Sequence, residues 1–400
     1  MELDQSRSKA LKITVICTGL FTFALPVGAA DLSTRIANEQ TLAPTIKLPA
    51  HLDEDLIYVE GQIGGERGLN LALDTGASVM VISPQLAERL RNAGKLKDMA
   101  GERVDTASGK QPNLHFVEVT DVRFGEFVVP RCGAAVLDIT MLSKAAGETL
   151  DGLAGMALFE SVTLVIDFPQ KEVRVEMTNT RNTNGIVVVP CDYQGNTPWI
   201  GMELAGQRFA AMVDSGANVG FVVPLKGRRF PFVSPPVTVA LSANLTDVTE
   251  EKEARLATNT VWGGITFERP VVDVTGRDIG IVGRDILTHF VVGFDQRSNL
   301  IWLAANTDSH VTSPQVKSLG LSLIPDERGL KVLGVIPNTD ASRAGIRRGD
   351  YVTAINAEPA KEWSQKRLRA LRNKADKFEV DILRKGKTKR VQLKVNVLIE

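Results

Sequence analysis

Two short motifs contain the residues best suited to chemistry in this sequence of 400 residues. Residues 74–78 are Asp-Thr-Gly-Ala-Ser, and residues 214–218, which lie 140 positions later, are Asp-Ser-Gly-Ala-Asn. Two carboxylates a few Å apart cannot both ionise, so they share one proton. One can then take a proton from water as a general base, while the other donates a hydrogen bond to a substrate carbonyl oxygen. The pair predicts hydrolysis at a carbonyl group.

The residues beside each aspartate suit a supporting role. Glycine lets the backbone approach a carboxylate closely and donate N–H bonds to it. A Thr or Ser hydroxyl can bond across to the opposite loop and hold the pair rigid. A single Asp-Thr/Ser-Gly motif is also compatible with a simple turn, in which Asp bonds its own backbone. That alternative does not account for two copies within a repeat.

Both motifs belong to an internal repeat. Residues 201–224 correspond to 61–84 without a gap, at an offset of 140. A second pair follows in the same order, because 283–296 corresponds to 155–168 at an offset of 128. Two motif pairs in the same order predict two copies of one lobe.

The elements that must position the aspartates are mostly strands. Each copy is rich in short Val, Ile, Leu and Phe runs bounded by Gly, Pro, Asn and Asp, which is a strand-and-turn pattern. Residues 69–73 predict a strand that runs into Asp74, and residues 84–92 are compatible with a helix. A hairpin is expected in each lobe, over 102–110 and between 237 and 261.

Residues 55–305 resemble an aspartic protease of the retropepsin-like branch, with two lobes fused in one chain. The second signature of that family, an apolar-apolar-Gly segment behind each catalytic loop, is matched at 153–155 and 281–283. The resemblance implies an aspartic endopeptidase that activates a water molecule, acts on protein or peptide substrates and needs neither cofactor nor metal. It implies a catalytic dyad of Asp74 and Asp214, dyad support from Thr75, Gly76, Ser215 and Gly216, and substrate contacts from Ala77, Ser78, Ala217 and Asn218.

Some positions depart from the family pattern. Ala154 is small where Leu or Ile is usual, and Ala157 replaces a common polar residue. Viral members have Asp where Ser78 and Asn218 stand, so Arg284 is expected to lack its usual carboxylate partner within the lobe. These differences bear on specificity more than on catalysis.

Residues 315–398 resemble a PDZ domain of the bacterial protease-associated type. The resemblance rests on 341–356, where Ala-Gly-Ile is followed by Gly-Asp and alternating apolar residues. It implies a groove that binds an extended peptide by β-augmentation and holds its C-terminal carboxylate on backbone N–H groups. A helix over 363–374 would form one wall. The expected groove residues are Leu319, Gly320, Leu321, Ser322, Leu323 and Leu368.

Charge is distributed unevenly along a chain with 47 basic and 47 acidic side chains. Residues 315–400 contain 19 basic and 10 acidic side chains, whereas 31–314 contain 25 and 35. The overall balance argues against nucleic acid as the main partner. The basic groove helix favours acidic peptides or docking on the acidic body, and a solvated basic face is the alternative.

Residues 1–30 are typical of a secretory signal, with a basic start, an apolar stretch over 13–25 and small residues before Ala30. We therefore expect export to a Gram-negative periplasm, with membrane contact only if this segment stays uncleaved as an anchor. Export would permit a disulfide between Cys132 and Cys191, and two free thiols are the alternative. The scattered His and Cys residues do not predict a metal site.

The sequence thus predicts a mainly β fold, with two tandem retropepsin-like acid-protease lobes followed by an α+β PDZ domain. The expected boundaries are a signal peptide at 1–30, lobes at 31–180 and 181–305, a linker at 306–316 and the PDZ domain at 317–398. A catalytically silent, peptide-binding scaffold is the alternative function, but a scaffold has no need of two buried like charges. A serine protease is disfavoured because the sequence has no Gly-x-Ser-x-Gly segment.

Overall fold

The computed structural model describes residues 45–53, 55–99, 105–106, 109–110, 115–177, 185–243, 248–306 and 309–400. The predicted signal peptide lies outside these residues. Strands dominate the described chain, which confirms the mainly β prediction. Within the same residues, no helix is long and apolar enough to cross a membrane.

The first lobe is a sheet with two helices and a 3-10 turn. Its main sheet has the strand order β2-β3-β4-β11-β5-β10-β9-β6. The elements are β1 (Thr45–Lys47), β2 (Ala50–Leu52), β3 (Ile57–Ile63), β4 (Glu66–Leu73), β5 (Met80–Ile82), α1 (Pro84–Asn92), β6 (Leu96–Asp98), β7 (Asp105–Thr106), β8 (Gly109–Lys110), β9 (His115–Phe124), β10 (Phe127–Val136), α2 (Thr140–Ala146), β11 (Gly152–Ala154), a 3-10 turn (Met156–Phe159), β12 (Thr163–Asp167) and β13 (Glu172–Glu176).

Local sequence explains the helix that follows the first aspartate loop. Ser83 caps α1 by accepting a hydrogen bond from the N–H of Leu86 at 3.2 Å, and Pro84 occupies the first helical position. Leu86 and Leu90, one turn apart, are fully buried. The expected hairpin over 102–110 is represented by β7 and β8, which pair in antiparallel fashion.

The second lobe repeats this arrangement. Its main sheet has the order β15-β16-β17-β24-β18-β23-β20-β19, and the expected second hairpin is formed by β19 and β20. The elements are β14 (Ile186–Pro190), β15 (Asp192–Gln194), β16 (Thr197–Leu204), β17 (Gln207–Asp214), β18 (Phe221–Pro224), β19 (Val237–Ala243), β20 (Val248–Arg255), β21 (Thr260–Trp262), β22 (Ile265–Glu268), β23 (Val271–Thr275), β24 (Gly280–Gly283), α3 (Arg284–Leu287), β25 (Phe290–Asp295), β26 (Leu300–Ala305) and β27 (His310–Thr312).

Strands from both lobes form a shared sheet of six strands, in the order β1-β13-β12-β25-β26-β14. β12 of the first lobe pairs with β25 of the second over five residues. Gly293 in β25 is required there, because a Cβ atom would lie 1.9 Å from the ring of Trp302 on the adjacent strand. One continuous apolar core extends through both lobes, so they pack as a single body.

The C-terminal module has its own sheet, in the order β29-β30-β31-β33-β34, and its own apolar core. The expected groove helix over 363–374 is observed as α5, which is capped by Ser364. The elements are β28 (Val316–Ser318), β29 (Leu321–Asp326), β30 (Gly329–Val335), α4 (Asp340–Arg343), β31 (Tyr351–Ile355), β32 (Glu358–Pro359), a 3-10 turn (Ala360–Glu362), α5 (Gln365–Lys374), β33 (Lys377–Arg384), β34 (Lys387–Lys394) and β35 (Asn396–Ile399).

The segment expected to be a linker, 306–316, is structured in its described part. Its strand β27 runs parallel to β22 of the second lobe, and Val311 in that strand is buried. Val316 begins β28, which pairs with the C-terminal strand β35. The polar composition of the segment did not predict this strand pairing, because only one of the three residues in β27 is buried.

Both described cysteines are free thiols. The Sγ of Cys132 lies 3.6 Å from the Sδ of Met80, and Cys191 is buried. Burial raises the pKa of each thiol to about 12. Of the two alternatives that the sequence leaves open, the structure has free thiols.

Candidate active site

Each aspartate lies at the end of a strand, and a short strand from later in the same lobe pairs with that strand. Asp74 follows β4, and β11 inserts between β4, to which it is parallel, and β5, to which it is antiparallel. The second lobe does the same, because β24 inserts between β17 and β18 beside Asp214. The two aspartate loops are therefore held by equivalent strands.

The apolar-apolar-Gly segments behind these loops have a steric explanation. A Cβ atom at Gly155 would lie 2.1 Å from the carbonyl oxygen of Val79. At Gly283 it would lie 2.5 Å from the carbonyl oxygen of Val219. Neither site has room for a side chain, so each glycine lets its strand pack directly against an aspartate loop.

Hydrogen bonds join the two loops across the lobe boundary. The N–H of Ser215 donates to Thr75 Oγ1 at 2.8 Å, and that hydroxyl donates to the carbonyl oxygen of Val213 at 2.9 Å. The N–H of Thr75 donates to Ser215 Oγ at 3.2 Å. Thr75 and Ser215 are both fully buried. The structure therefore brings the predicted support residues of both lobes into one network.

The two glycines of the motifs bring the carboxylates together. The N–H groups of Gly76 and Gly216 donate to Asp74 Oδ1 and Asp214 Oδ1 respectively, each at 2.8 Å. A Cβ atom at Gly76 would lie 2.5 Å from Asp214 Oδ2, and one at Gly216 would lie 2.7 Å from Asp74 Oδ1. Each glycine thus contacts the opposite carboxylate.

Burial and mutual repulsion govern the protonation of this pair. The exposed fraction is 3% for Asp74 and 1% for Asp214. Burial, and secondly the charge of Asp74, raise the pKa of Asp214 well above its usual range, although the N–H groups of Gly216 and Ala217 act in the opposite direction. The pair can hold one proton and one negative charge at a pH where isolated aspartates are ionised.

The predicted substrate contacts lie directly beyond the dyad. Ala77 and Ala217 are buried, and their carbonyl oxygens accept equivalent bonds from the N–H groups of Met156 and Arg284, each at 2.8 Å. Ala side chains here keep the loops close to the segments behind them. Their role is therefore in packing as well as in the expected substrate contact.

Ser78 and Asn218 carry polar atoms that the described protein atoms do not satisfy. Ser78 Oγ and Asn218 Oδ1 are both buried without a hydrogen-bond partner among the described residues. Buried polar atoms of this kind are costly unless something pairs with them. The substrate contact expected from the sequence for these two residues stays a prediction.

Arg284 meets a different partner from the one that the family pattern suggests. It is buried, stacks at 5.6 Å over the ring of Phe168 and donates to the carbonyl oxygen of Asp53 in the first lobe. Burial lowers the pKa of its guanidinium, and the charges of Asp53 and Asp55 oppose that effect. Arg284 thus joins the lobes behind the dyad.

The predicted groove residues lie in the C-terminal module, separate from the dyad. Four of them pack in the apolar core of the module, namely Leu319, Leu321, Leu323 and Leu368. Gly320 has a φ of +80°, and a Cβ atom there would meet Thr339 Oγ1 at 2.7 Å. Ser322 Oγ accepts a hydrogen bond from the N–H of Leu241, in the second-lobe hairpin, at 2.8 Å.

Sequence reasoning did not identify the residues that attach this module to the body. Arg369 of α5 donates to both carboxylate oxygens of Asp55, at 2.9 and 2.6 Å, and its side chain is 4% exposed. The one feature of the sequence that indicated such a contact was the uneven charge, with a basic C-terminal region and an acidic body. The basic helix that contains Arg369 was expected to bind acidic peptides or to dock on the acidic body, with a solvated face as the alternative, and its partner Asp55 was not identified.

Two family models match this chain. A model described as aspartyl protease matches residues 59–158, which contain the first aspartate loop. A model described as PDZ domain matches residues 317–395. A protease-like domain followed by a PDZ domain is therefore the architecture of the chain.

Two curated proteins are similar over shorter stretches. A "Putative serine protease HhoA" from Synechocystis sp. is 29% identical over 102 residues, which cover 26% of this chain and 24% of the relative. A "Probable periplasmic serine endoprotease DegP-like" from Rhizobium meliloti is 35% identical over 99 residues, which cover 24% of this chain and 19% of the relative. The chain thus spans no more than about a quarter of the length of either relative.

Proposed function

We propose that this protein is an aspartic endopeptidase, in which Asp74 and Asp214 activate a water molecule that attacks a peptide bond. The interlobe network of Thr75 and Ser215 carries the proposal, because it holds two buried carboxylate loops face to face. A structural turn would need neither the network nor the second carboxylate. The mainly β, two-lobed fold is consistent with this function.

The protonation of the pair suggests how the chemistry is divided. Burial and mutual repulsion, which raise the pKa of Asp214, favour one shared proton on the pair, and the protonated carboxyl donates a hydrogen bond to the carbonyl oxygen of the substrate. The ionised carboxylate of the pair takes a proton from the attacking water. The absence of a protein partner for Ser78 Oγ and Asn218 Oδ1 among the described residues supports a role for them in binding the substrate backbone.

The names of the relatives point to a serine protease, but they carry little weight for the catalytic mechanism. Their matched stretches cover 24% and 19% of their lengths. The sequence has no Gly-x-Ser-x-Gly segment. The aspartyl protease match, by contrast, spans residues around Asp74. We therefore favour the aspartic mechanism.

We further propose that the PDZ domain binds peptide termini, for substrate recruitment or regulation, and that the protein acts in the periplasm. The name of the DegP-like relative and the signal-like pattern of residues 1–30 support the location. A silent, peptide-binding scaffold is disfavoured because it gains nothing from paired buried carboxylates.

The deciding experiment is cleavage of a denatured protein and a diverse peptide pool by residues 31–400, from about pH 4 to 7. Asp74→Asn and Asp214→Asn should each abolish hydrolysis, because the two residues act as a unit. Asp381→Asn, which alters an ion pair within the PDZ domain, is the control. Activity that survives in either dyad variant but is lost to a serine-directed phosphonate would refute the aspartic mechanism.

A further inference from the structure

One face of helix α5 is turned towards the protease body. Gln365, Arg369 and Arg372 lie at i, i+4 and i+7 on this helix, so they share that face. Arg369 and Arg372 are 5% and 9% exposed, which is unusual for arginine. The neighbouring face, with Leu368 and Leu371, packs in the core of the PDZ domain. The face with Arg369 and Arg372 is therefore covered, whereas Lys366 and Lys374 of the same helix are exposed.

The first lobe contributes a carboxylate to this face. Asp55 accepts a bidentate pair of bonds from Arg369. Asp55 lies just before β3. The carbonyl oxygen of Asp53, two residues earlier, accepts a hydrogen bond from Arg284 behind the dyad. The chain just before β3 thus contacts the PDZ helix on one side and the loop of the second lobe on the other.

The second lobe covers the rest of the face. Burial, and secondly the charge of Arg369, lower the pKa of Arg372 to about 10, and the charge of buried Glu253 in the hairpin strand β20 opposes that effect. Arg372 also lines a small interdomain cavity of about 30 Å³, together with Asp285 and Val271. Carboxylates from both lobes therefore surround the arginines of α5.

The PDZ domain also contacts the hairpin of the second lobe directly. The N–H of Leu241, in β19, donates to Ser322 Oγ in the PDZ edge strand β29. The side chain of Leu241 packs against Gly334 of β30, where a Cβ atom would lie 2.7 Å from Leu241 Cδ2. Further along β19, Val237 and Val239 pack in an apolar cluster with Ile399 of the PDZ domain.

We propose that this interface restrains the protease, and that a peptide rich in carboxylates activates it by competing for Arg369 and Arg372. In this proposal the hairpin of β19 and β20, which the PDZ domain contacts through Leu241, acts as a lid that must open to admit substrate. In the absence of ligand Asp55 binds Arg369, and the charge of Glu253 acts on Arg372. Release of α5 frees the hairpin and raises turnover. The proposal rests on the proposed proteolytic function.

The test uses full-length variants and two independent measurements. Arg369→Gln and Asp55→Asn each abolish the ion pair between Arg369 and Asp55, one from each domain. The double variant Asp55→Arg/Arg369→Asp restores an ion pair with the charges exchanged. Arg390→Gln is the charge-matched control, because Arg390 binds Asp381 within the PDZ domain, at 2.8 and 2.9 Å. Amide hydrogen exchange of residues 237–243 reports the hairpin, and kcat/KM on an unfolded protein reports turnover.

In Arg369→Gln and in Asp55→Asn, the amide hydrogens of residues 237–243 should exchange faster than in the wild type. Each variant should also raise kcat/KM by on the order of tenfold, as typical coupling between sites would produce. The charge-reversed pair should return both values towards wild type, and Arg390→Gln should not change them. Unchanged exchange, or faster exchange with lower turnover, overturns the proposal. If no form hydrolyses the substrate, the proposed function fails and exchange alone decides whether the restraint exists.

A peptide probe tests the partner. A short synthetic peptide with several Glu and Asp residues at a free C-terminus should accelerate exchange and turnover in the wild type. The same peptide with Gln and Asn in those positions should not. Arg369→Gln should no longer respond to the acidic peptide. An equal response to both peptides would rule out carboxylate competition as the trigger.

Discussion

The hydroxyl of Thr75 accepts a hydrogen bond from the N–H of Ser215 at 2.8 Å, and donates one to the carbonyl oxygen of Val213 at 2.9 Å. One side chain of the first lobe thus satisfies two backbone groups of the second, directly beside Asp214. The two aspartate loops cannot shift independently while these bonds persist. The geometry of the dyad is consequently a property of the lobe interface rather than of either lobe.

Thr75→Val should be strongly destabilising, because it keeps the side-chain shape and removes the hydroxyl. The buried N–H of Ser215 and carbonyl of Val213 would lose their partner, at a cost of roughly 2–5 kcal/mol in the free energy of unfolding. Urea denaturation measures the change. Thr75→Ser, which retains the hydroxyl, is the control and should lose much less; a loss in Thr75→Val no larger than that in Thr75→Ser would contradict a dominant role for the hydroxyl bonds.

The glycines of the two motifs should tolerate no side chain. Gly76→Ala would place a Cβ atom 2.5 Å from Asp214 Oδ2, and Gly216→Ala would place one 2.7 Å from Asp74 Oδ1. A carboxylate displaced by about 1 Å costs about 100-fold in turnover. Peptide hydrolysis by each variant provides the measurement. Gly201→Ala, at a site with no atom within 4 Å of the new Cβ, should retain full activity.

The pH dependence of stability should carry the signature of the dyad. Burial, and secondly Asp74, raise the pKa of Asp214, so the folded state binds this proton more tightly than the unfolded chain does. This proton stabilises the folded state to its full extent below about pH 3.9, the pKa of Asp in the unfolded chain. That stabilisation is lost as the pH rises through the raised pKa of Asp214 in the folded state. Asp214→Asn removes this loss.

The melting temperature of Asp214→Asn relative to wild type should therefore increase from pH 4 to pH 7, by about 2–4 °C for each kcal/mol relieved. Calorimetry at several pH values checks the sign. Asp278→Asn is a control with the opposite sign, because a hydrogen bond from Arg228 lowers the pKa of Asp278. Replacing this carboxylate should not raise the melting temperature at neutral pH. A difference that does not vary with pH would mean that Asp214 is not protonated more readily in the folded state.

The repeat explains why the aspartate loops could be located without a structure. An offset of 140 residues relates Asp74 to Asp214, and each sits between an apolar strand and a β-branched run, so local pattern determines both loops. The bond between Asp55 and Arg369 joins residues 314 positions apart on different domains. Their surroundings in sequence are ordinary charged turns and helices, and only tertiary packing makes the arginine buried.

The same reasoning applies to the segment at 306–316. Its polar composition favours a linker, but β27 forms by pairing with β22, and strand pairing depends on a partner more than on composition. The free thiols of Cys132 and Cys191 were likewise undetermined by sequence. Spacing along the chain does not give the distance between two sulfur atoms.

Arg255 anchors the C-terminus of the chain to the second lobe. It is 8% exposed, and its guanidinium donates to the carbonyl oxygens of Arg269 and Pro314, each at 3.0 Å, and to the backbone oxygen of Glu400. A planar guanidinium can serve three carbonyl groups in different directions, whereas an ammonium group on a flexible stem cannot. Arg255→Lys keeps the charge and should lose at least two of these bonds.

We expect Arg255→Lys to lower the free energy of unfolding by roughly 3–6 kcal/mol, since it loses two hydrogen bonds and hydrogen bonds to charged groups are worth about 1.5–3 kcal/mol each. The loss should concentrate at the attachment of the PDZ domain, so that β28 and β35 exchange their amide hydrogens faster than β12 and β25. Arg208→Lys, whose side chain is 86% exposed, is the control and should change neither exchange nor stability. Uniform destabilisation of all four strands would instead make the two domains one cooperative unit, with Arg255 as part of a common core.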